Sequence, residues 1–537
     1  MLSKLSQMGS KTFHKGIETM KSHYSVTPWG LRLGILGLAL SASPLSMNCA
    51  YAKVASAKAG VVKADSSISA KAPDPTLDPL DKVAAARIPE GRVTVTNIEG
   101  ALEAAYRNNS ELKEYQAQLR SRDEGVPQAL AGWRPTVYLN ASIGGEKDIK
   151  SGTQKDVGEL NSSAQSGSNF STASADIALQ QNLFYGGKTV AETCKAENTV
   201  LAARAQLADK EREVLFAAVK AYFEVIAKTS ELAYRKSTEL AFKKTLEATQ
   251  DKFNVGEETR TSIAQAQADL ANAIAQREST EAQLLAAEAT FEQVTGARPG
   301  KLKKPGDLSM LPTGLKEAIE IAKKNNPAIL TVVYQERADR QAIKSSDADL
   351  LPKVDLQASV GRQATNNKTR LAASNTNVQF NDFVTAQKIA VVLKTPLYEG
   401  GEFRARTRGL REAAEQRRIM IETARRKVIQ QLVAAWELYT SSKANVKSYE
   451  TQVKANEVAL EGTRQEMLVG SKILLDVLNA QRLLVQSQLN LVQAEQQFYQ
   501  AAYDILANMG RLNAMDMKLK VKRYNTQVHY QDVRNSW

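Results

Sequence analysis

The sequence predicts a mainly α-helical protein with a small β part, built as two copies of one unit. The first observation is an apolar heptad near the C-terminus, which is typical of a coiled coil (Val477, Leu484, Leu491, Phe498, Ile505 and Leu512). The second is that the same register recurs 214 residues earlier, at Ile263–Phe291 (477 − 214 = 263), with Arg277 as its one polar member. The third is a set of short segments that alternate apolar and polar residues, the pattern of β-strands.

The duplication extends beyond the coiled coil. LFYGG at 183–187 matches LYEGG at 397–401, and FNVG at 253–256 matches MLVG at 467–470, both at the offset of 214. A tandem repeat fixes the order of elements, which is short helix, strand, polar loop, strand, Gly-Gly, very long helix, turn and long helix. The predicted divisions are a first repeat over 97–300, a linker over 301–313, a second repeat over 314–515 and a tail over 516–537.

The N-terminal part predicts export. Residues 1–52 have the features of a signal peptide, because an apolar run at 33–40 follows basic residues and Ala50-Tyr51-Ala52 offers a cleavage site. The run is too short to span a membrane, which takes about 20 apolar residues. Cys49 leaves a lipoprotein as the alternative. Residues 53–96, rich in Ala, Lys, Ser, Asp and Pro, are predicted to be flexible.

The strands have the pattern of an outer-membrane barrel. Each is about ten residues long with one apolar and one polar face, although a half-solvated sheet shows the same alternation. Four strands cannot close a barrel, and an open sheet edge cannot lie in lipid, so strands that meet lipid require an oligomer. The sequence places short helices at 97–130 and 314–350, strands at 136–145, 173–183, 354–360 and 385–395, and loops at 146–171 and 363–383.

The long helices cannot be membrane elements. Residues 188–252 contain no proline and no glycine, and at about 1.5 Å per residue they span about 100 Å. A bilayer core is only about 30 Å thick, so this polar-surfaced helix must stand in water. The sequence therefore predicts a strand-built pore joined to a helical stalk in an aqueous compartment, which the signal peptide makes the periplasm.

Composition argues against two other classes of protein. The formal charge is +13, but no basic block is interleaved with aromatic residues, so nucleic acid is not an expected partner. The three histidines are His14, His23 and His529, two of them in the predicted signal peptide. Neither His-centred catalysis nor a metal site is expected from this distribution, and no enzyme activity or cofactor is predicted.

Four motifs carry a resemblance to a known family. The segments NLFYGGKT, TPLYEGGEF, FNVGEETRTSIAQAQADL and MLVGSKILLDVLNAQRLL resemble the TolC family of outer-membrane efflux and secretion channels. The resemblance implies a homotrimer with four strands per chain in one twelve-stranded barrel in outer-membrane lipid of a Gram-negative bacterium. Twelve helices would form a periplasmic tunnel. The implied partners are a periplasmic adaptor protein and an inner-membrane transporter, either an ABC pump or a proton-driven one.

The resemblance also implies roles for individual residues. Asp476 matches an aspartate that constricts the tunnel entrance, whereas Asn479 and Ser262 stand where the family has further aspartates. Lys472 matches an arginine that tethers neighbouring helices. The turns expected to meet the adaptor contain Gly256, Thr259, Arg260, Gly470 and Lys472. The expected strand–helix joints are marked by Pro135, Gly186, Gly187, Pro352, Pro396, Gly400 and Gly401.

Two questions stay open at this level. Type I secretion of proteins and efflux of small molecules fit the resemblance equally. The competing function is a periplasmic coiled-coil protein, structural or adhesin-like, that forms no channel. The repeated strand pairs separate the two classes, since a pure coiled coil has no use for them.

Overall fold

The structure is a computed structural model, and it describes residues 94–154, 162–306, 310–371 and 376–534. The predicted signal peptide over 1–52, Cys49 and nearly all of the segment 53–96 lie outside the described residues. At the end of that segment, β1 (Thr94–Val95) pairs in parallel with β4 (Arg298–Pro299). This short pairing joins the beginning of the first unit to its end.

The helices form two sets in the same order. The first set is α1 (Ile98–Asn108), α2 (Ser110–Asp123), α3 (Gly125–Leu130), α4 (Lys188–Asn254) and α5 (Arg260–Thr295). The second set is α6 (Leu315–Asn325), α7 (Pro327–Asp347), α8 (Glu402–Leu468) and α9 (Leu474–Asn508). A short helix, α10 (Val528–Arg534), lies in the tail. The long helix predicted at 188–252 is confirmed, and both long helices have 67 residues.

The two predicted short helices are each interrupted, so the prediction of one continuous helix was wrong in both places. Asn109 leaves helical geometry (ψ 127°), and its side chain accepts a hydrogen bond from the Leu112 backbone N–H at 3.1 Å. Asn326 does the same (ψ 121°), accepting from the Ala328 N–H at 3.0 Å. Pro327 begins the new helix, where its missing N–H costs nothing. An asparagine that caps the next helix therefore breaks each one at a matched position.

One four-stranded antiparallel sheet has the order β2–β3–β5–β6. Its strands are β2 (Thr136–Gln154), β3 (Ser162–Tyr185), β5 (Lys353–Leu371) and β6 (Thr376–Lys394). The strands are longer than predicted, and the prediction of loops across 146–171 and 363–383 was wrong, because most of those residues lie in the ladders. Backbone pairing does not depend on side-chain polarity, so Ser-, Asn- and Thr-rich segments that read as loops can extend a strand.

The main core surrounds α4. Aromatic side chains fix its centre, where Phe223 stacks on Tyr499 of α9 at 5.0 Å and meets Tyr222 edge-on at 5.5 Å between ring centroids. Phe291 of α5 is fully buried in the same cluster. A second, smaller core joins α6, α7, α8 and α9 around Leu432. The first unit therefore holds most of the buried apolar mass.

The predicted coiled-coil seam is confirmed in α9. Val477 and Leu484 are buried against Leu460 of α8, and the last two members of the pattern, Ile505 and Leu512, are fully buried. In the first unit the heptad of α4 (Val225, Leu232, Glu239, Leu246 and Phe253) also has one polar member, Glu239. The Arg277 Nε of α5 lies 2.7 Å from the Glu239 Oε2. An ion pair thus replaces one apolar layer of that coiled coil.

Among residues 94–154, 162–306, 310–371 and 376–534, none of the helices is both long enough and apolar enough to cross a bilayer.

Candidate functional site

Each long helical hairpin turns through the same backbone motif at its tip. After α4 the Glu257 N–H donates to the Lys252 carbonyl at 2.9 Å, and Gly256 takes a φ of +85°. After α8 the Ser471 N–H donates to the Glu466 carbonyl at 2.9 Å, and Gly470 has a φ of +81°. This pattern is a Schellman motif, in which glycine takes the left-handed position that other residues adopt at a cost.

The helices that leave the two turns are capped in different ways. At α5 the Thr259 hydroxyl accepts from the Ser262 N–H at 3.2 Å, and the two hydroxyls are 3.1 Å apart. At α9 the capping position is Ile473, which has no polar side chain, and the Asp476 carboxylate accepts from the Ile473 N–H at 3.3 Å. Ser262 and Asp476 hold the same position of their helices. Asp476 therefore stabilises the start of α9, where an acidic side chain also suits the helix dipole.

One turn further along α9, a side-chain bridge links the two units. The Arg482 Nη1 donates to the Asn479 Oδ1 at 3.0 Å, and its Nη2 donates to the Asp269 Oδ1 of α5. Asp269 is buried, and its second oxygen has no hydrogen-bond partner among the described residues. Asn479, which carries no charge, thus orients a guanidinium toward a buried carboxylate. A buried acid needs such a partner, because removing the partner leaves an uncompensated charge.

The sequence patterns had not singled out Arg482 or Asp269. The sequence gives only a weak indication of this pair. Asp269 is an isolated acid in an Ala- and Gln-rich stretch, and Arg482 is a base on the corresponding helix of the other repeat. The tip residues Lys472, Thr259 and Arg260 are exposed. Lys472 forms no ion pair within the described part of the chain.

A groove lies beside the tip between the end of α4 and the α8–α9 turn. Its volume is about 620 Å³. The floor is apolar, with Leu240, Met467 and Val477 among its lining residues. Its charged lining residues are three cations and one acid (Lys244, Lys252, Arg464 and Glu258). The groove therefore offers apolar contacts with a basic rim.

Paired glycines stand at both strand–helix joints. Gly186 and Gly187 have φ of +59° and +81°, and Gly400 and Gly401 have φ of +61° and +85°. A Cβ on Gly186 would lie 2.7 Å from the Ala348 carbonyl oxygen, so this joint has no room for a larger residue. The three prolines stand beside strand ends, with Pro135 and Pro352 directly before β2 and β5 and Pro396 after β6.

A charged cluster fixes the first of these joints. The Asp349 Oδ1 lies 3.0 Å from the ammonium nitrogens of both Lys188, at the start of α4, and Lys353, at the start of β5. Burial alone would raise the pKa of Asp349, but the two lysines together lower the pKa below its ordinary value. Asp349 therefore ties helix, strand and preceding turn together as a carboxylate.

Comparison with known proteins identifies the family. The family model described as "Outer membrane efflux protein" matches residues 101–297 and 318–511. The chain is 32% identical to the outer membrane efflux protein BepC of Brucella suis, over 82% of this chain and 91% of that protein. It is 26% identical to the outer membrane protein TolC of Vibrio cholerae, over 79% of this chain and 93% of that protein.

A solved structure shares the fold. The outer membrane channel CmeC of Campylobacter jejuni aligns with a TM-score of 0.64 at 12% identity, over 82% of this chain and 89% of that one. These matches do not favour the alternative of a coiled-coil protein without a channel. The chain belongs to the outer membrane efflux protein family, and it is an exit channel of the Gram-negative outer membrane for efflux or type I secretion.

Proposed function

We propose that three copies of the chain close their four-stranded sheets into one twelve-stranded barrel. The observation that carries this proposal is the open sheet. Within the described residues β2 pairs only with β3 and β6 only with β5, which leaves two long strand edges. Unpaired backbone groups in lipid cost several kcal/mol each, so the edges of neighbouring chains must pair.

The helices support the same assembly. Several apolar side chains of α8 are exposed in the single chain, among them Ile419 at 62% and Val458 at 74%. A neighbouring chain packed against this face would remove them from water. Three chains, each with two long and two shorter helices in its hairpins, would enclose a tunnel below the barrel. The duct is passive and has no catalysis of its own.

The tip is the proposed gate. Threefold symmetry would place three Asp476 carboxylates around one axis, where like charges attract cations. Asn479 and Ser262 at the neighbouring family positions add no charge, so the chain supplies one charged ring. Lys472 would reach a neighbouring helix in the closed state.

The groove beside the tip is the proposed docking surface for the periplasmic adaptor. Its apolar floor and the basic rim formed by Lys244, Lys252 and Arg464 fit an amphipathic helical segment with acidic flanks. The neighbouring turn residues Gly256, Thr259, Arg260, Gly470 and Lys472 complete the contact surface. An inner-membrane transporter, an ABC pump or a proton-driven one, would supply the energy through the adaptor. The cargo is set by that transporter.

Single-channel recording with mass measurement tests the duct. The mature protein is reconstituted in planar bilayers, and its oligomer mass is measured in the same detergent. A trimer with small, cation-preferring and mostly closed conductance is the expected result. A monomer without conductance contradicts the proposal.

Asp476→Asn tests the gate separately from the helix cap. The amide oxygen can still accept the Ile473 hydrogen bond, but the charge is gone, so cation selectivity should fall while stability stays close to wild type. Ser262→Asp is the matched gain of charge at the same helix position and should raise cation selectivity. If neither variant changes ion selectivity, Asp476 is only a cap.

A further inference from the structure

The two faces of the sheet differ in exposure, and on a curved sheet the side chains of the convex face spread apart and are the more exposed ones. Along β3, residues 169–177 alternate between exposed and half-buried, and the exposed members are the odd-numbered ones. Ala173, Ala175 and Ile177 therefore lie on the convex face, and Asp176 lies on the concave face. In a closed barrel the convex face is the one that meets lipid.

Pairing register extends this assignment across all four strands. One row joins Leu139, Ile177, Val360 and Gln387, and neighbouring rows on the same face follow at steps of two residues. The rows from the Val354–Leu393 pair to the Ala364–Phe383 pair are mainly apolar, with Arg362 as their one charged member. Ten steps of about 3.4 Å each, tilted by about 40°, give a band about 26 Å tall, close to the outward apolar band of outer-membrane barrels.

The acids of the sheet are confined to one of its two faces. In the part of the sheet whose side chains are described, every charged side chain on the convex face is basic (Lys147, Arg362 and Lys368). The acids all lie on the concave face (Glu146, Asp148, Asp176, Asp355 and Asp382), together with Lys353, Lys388 and Lys394. A basic side chain facing lipid is costly unless it reaches a polar partner.

Two of the convex cations share one row. Lys147 pairs with Asn169, and Asn169 pairs with Lys368, so the two lysines flank an asparagine on adjacent strands. All three side chains are exposed. Two strand spacings of about 4.8 Å separate the lysines by about 10 Å. The row stands four residues beyond the Ala364 row, about 10 Å above the apolar band once strand tilt is included, at the level of the lipid headgroups.

Arg362 is oriented by an aromatic ring. Its guanidinium carbon lies 5.2 Å from the ring centroid of Phe383, which belongs to the next row toward the lysines. The arginine stem thus covers apolar surface while its charge is held on the side of the band nearer the lysine row.

We propose that Lys147, Asn169 and Lys368 bind the phosphate groups of a phosphorylated glycolipid in the outer leaflet. Two ammonium groups and an amide donor match two anionic oxygen clusters about 10 Å apart. The proposal rests on the barrel described under the proposed function, because only a closed barrel turns the convex face to lipid. The lipid would hold the barrel at a fixed depth in the membrane.

Lipid retention by the intact assembly tests this site. The full-length mature protein is placed in nanodiscs that contain a bis-phosphorylated glycolipid, extracted, and weighed by native mass spectrometry with its bound lipid. Wild type should retain the glycolipid, and Lys147→Gln/Lys368→Gln should retain about tenfold less. Lys388→Gln, which removes the same charge from the concave face of the same sheet, should behave as wild type.

Further controls test whether the bound phosphate belongs to the lipid and whether the double variant is correctly folded. The same glycolipid without phosphates should not be retained, and inorganic phosphate should not displace the intact lipid. Lys147→Arg/Lys368→Arg should restore retention, which a misfolded double variant could not explain. The proposed site would be overturned if Lys147→Gln/Lys368→Gln retained as much glycolipid as wild type, or if the dephosphorylated lipid were retained equally well. A loss in Lys388→Gln equal to that in the double variant would also overturn it. Trimer mass and conductance read from the same samples report failure of the duct separately.

Discussion

The two repeats have long helices of matched length, but the rest of the chain buries much more of one of these helices than of the other. The long helices α4 and α8 are both 67 residues long, yet twenty residues of α4 are buried and only seven residues of α8. The difference arises because α1–α3, α7, α9 and the tail pack against α4 in addition to its partner α5, whereas α8 is covered mainly by α6, α7 and its partner α9. A duplicated unit thus supplies one helix that completes the core of its own chain and one that leaves a face for another chain.

The largest effect is expected at a position where the repeats differ most. Phe223 is 2% exposed and stacks on Tyr499, while its counterpart Glu437 (223 + 214) is exposed. Phe223→Ala should lower the free energy of unfolding by about 3–5 kcal/mol, and Glu437→Ala should change it by less than about 0.5 kcal/mol. Urea unfolding in detergent measures both. Equal losses would mean that the two helices are equally covered.

The bridge between units gives the next effect. Arg482→Ala leaves the buried Asp269 without its ion-pair partner and should lower the free energy of unfolding by about 1–2 kcal/mol. The loss is smaller than for a fully buried pair because the arginine side chain is 44% exposed. The counterparts Ala268 and Leu483 cannot form a second bridge. Loss of this bridge near the tip should also raise the open probability of the channel in planar bilayers.

Arg482→Lys serves as the control for the bridge. The charge stays, but the planar fork that spans Asn479 and Asp269 is lost, so an intermediate effect is expected. If Arg482→Ala gates like wild type, the bridge only stabilises the tip and does not restrain it.

The polar layer of the first coiled coil should be replaceable by the apolar layer of the second. Glu239 and Arg277 correspond to Val453 and Leu491. Arg277→Leu alone should cost about 1 kcal/mol because Glu239 loses its partner, whereas Glu239→Val/Arg277→Leu should be near neutral. A double-mutant cycle in urea measures the coupling, and additive losses would show that the pair contributes nothing jointly.

The smallest effect concerns the tail, which covers the first repeat. His529 of α10 lies with its Nδ1 3.1 Å from the Oδ2 of the buried Asp123. Burial raises the pKa of Asp123 above its ordinary 3.8, although the His529 hydrogen bond and Arg204 oppose the shift. A raised carboxyl pKa favours the fold fully below about pH 3.8 and loses that contribution as pH rises through the folded value.

Hydrogen exchange of α10 checks this dependence. After correction for intrinsic rates, protection of α10 should fall as the pH rises from about 3.8, the ordinary pKa of the carboxyl, to neutral pH, and Asp123→Asn should flatten the profile. A wild-type profile that rises with pH would contradict the assignment to Asp123.

Periodic features of the fold could be predicted from the sequence, whereas contacts between side chains that are distant in the sequence could not. The offset of 214, the heptads and the tip glycines set helix lengths and turns because each is a local or repeated pattern. Strand ends were misjudged because polar residues around Phe170 and Asn366 pair through the backbone alone. The breaks at Asn109 and Asn326 had a readable signal, an asparagine capping the following helix.

Tertiary pairs at the candidate site lay beyond sequence reasoning. Arg482 meets Asp269 across 213 positions, and Lys188 meets Asp349 across 161. Nothing in either local segment indicates the partner, since exposed lysines and arginines are common on helices. The same holds for the meeting of Glu239 and Arg277, the two members that broke the heptads.

The equal lengths of α4 and α8 act as a constraint on evolution. The matched caps Asn109 and Asn326 are 217 residues apart, whereas the Gly-Gly joints are 214 apart, so the repeats differ by three residues between their strands (217 − 214 = 3). They differ by none between the Gly-Gly joints and the tip turns. A residue inserted into one long helix would raise its tip by about 1.5 Å and rotate the following surface by about 100°. Relatives of this chain should therefore change the reach of their stalks only by paired insertions in both repeats, whereas the strand loops remain free to vary in length.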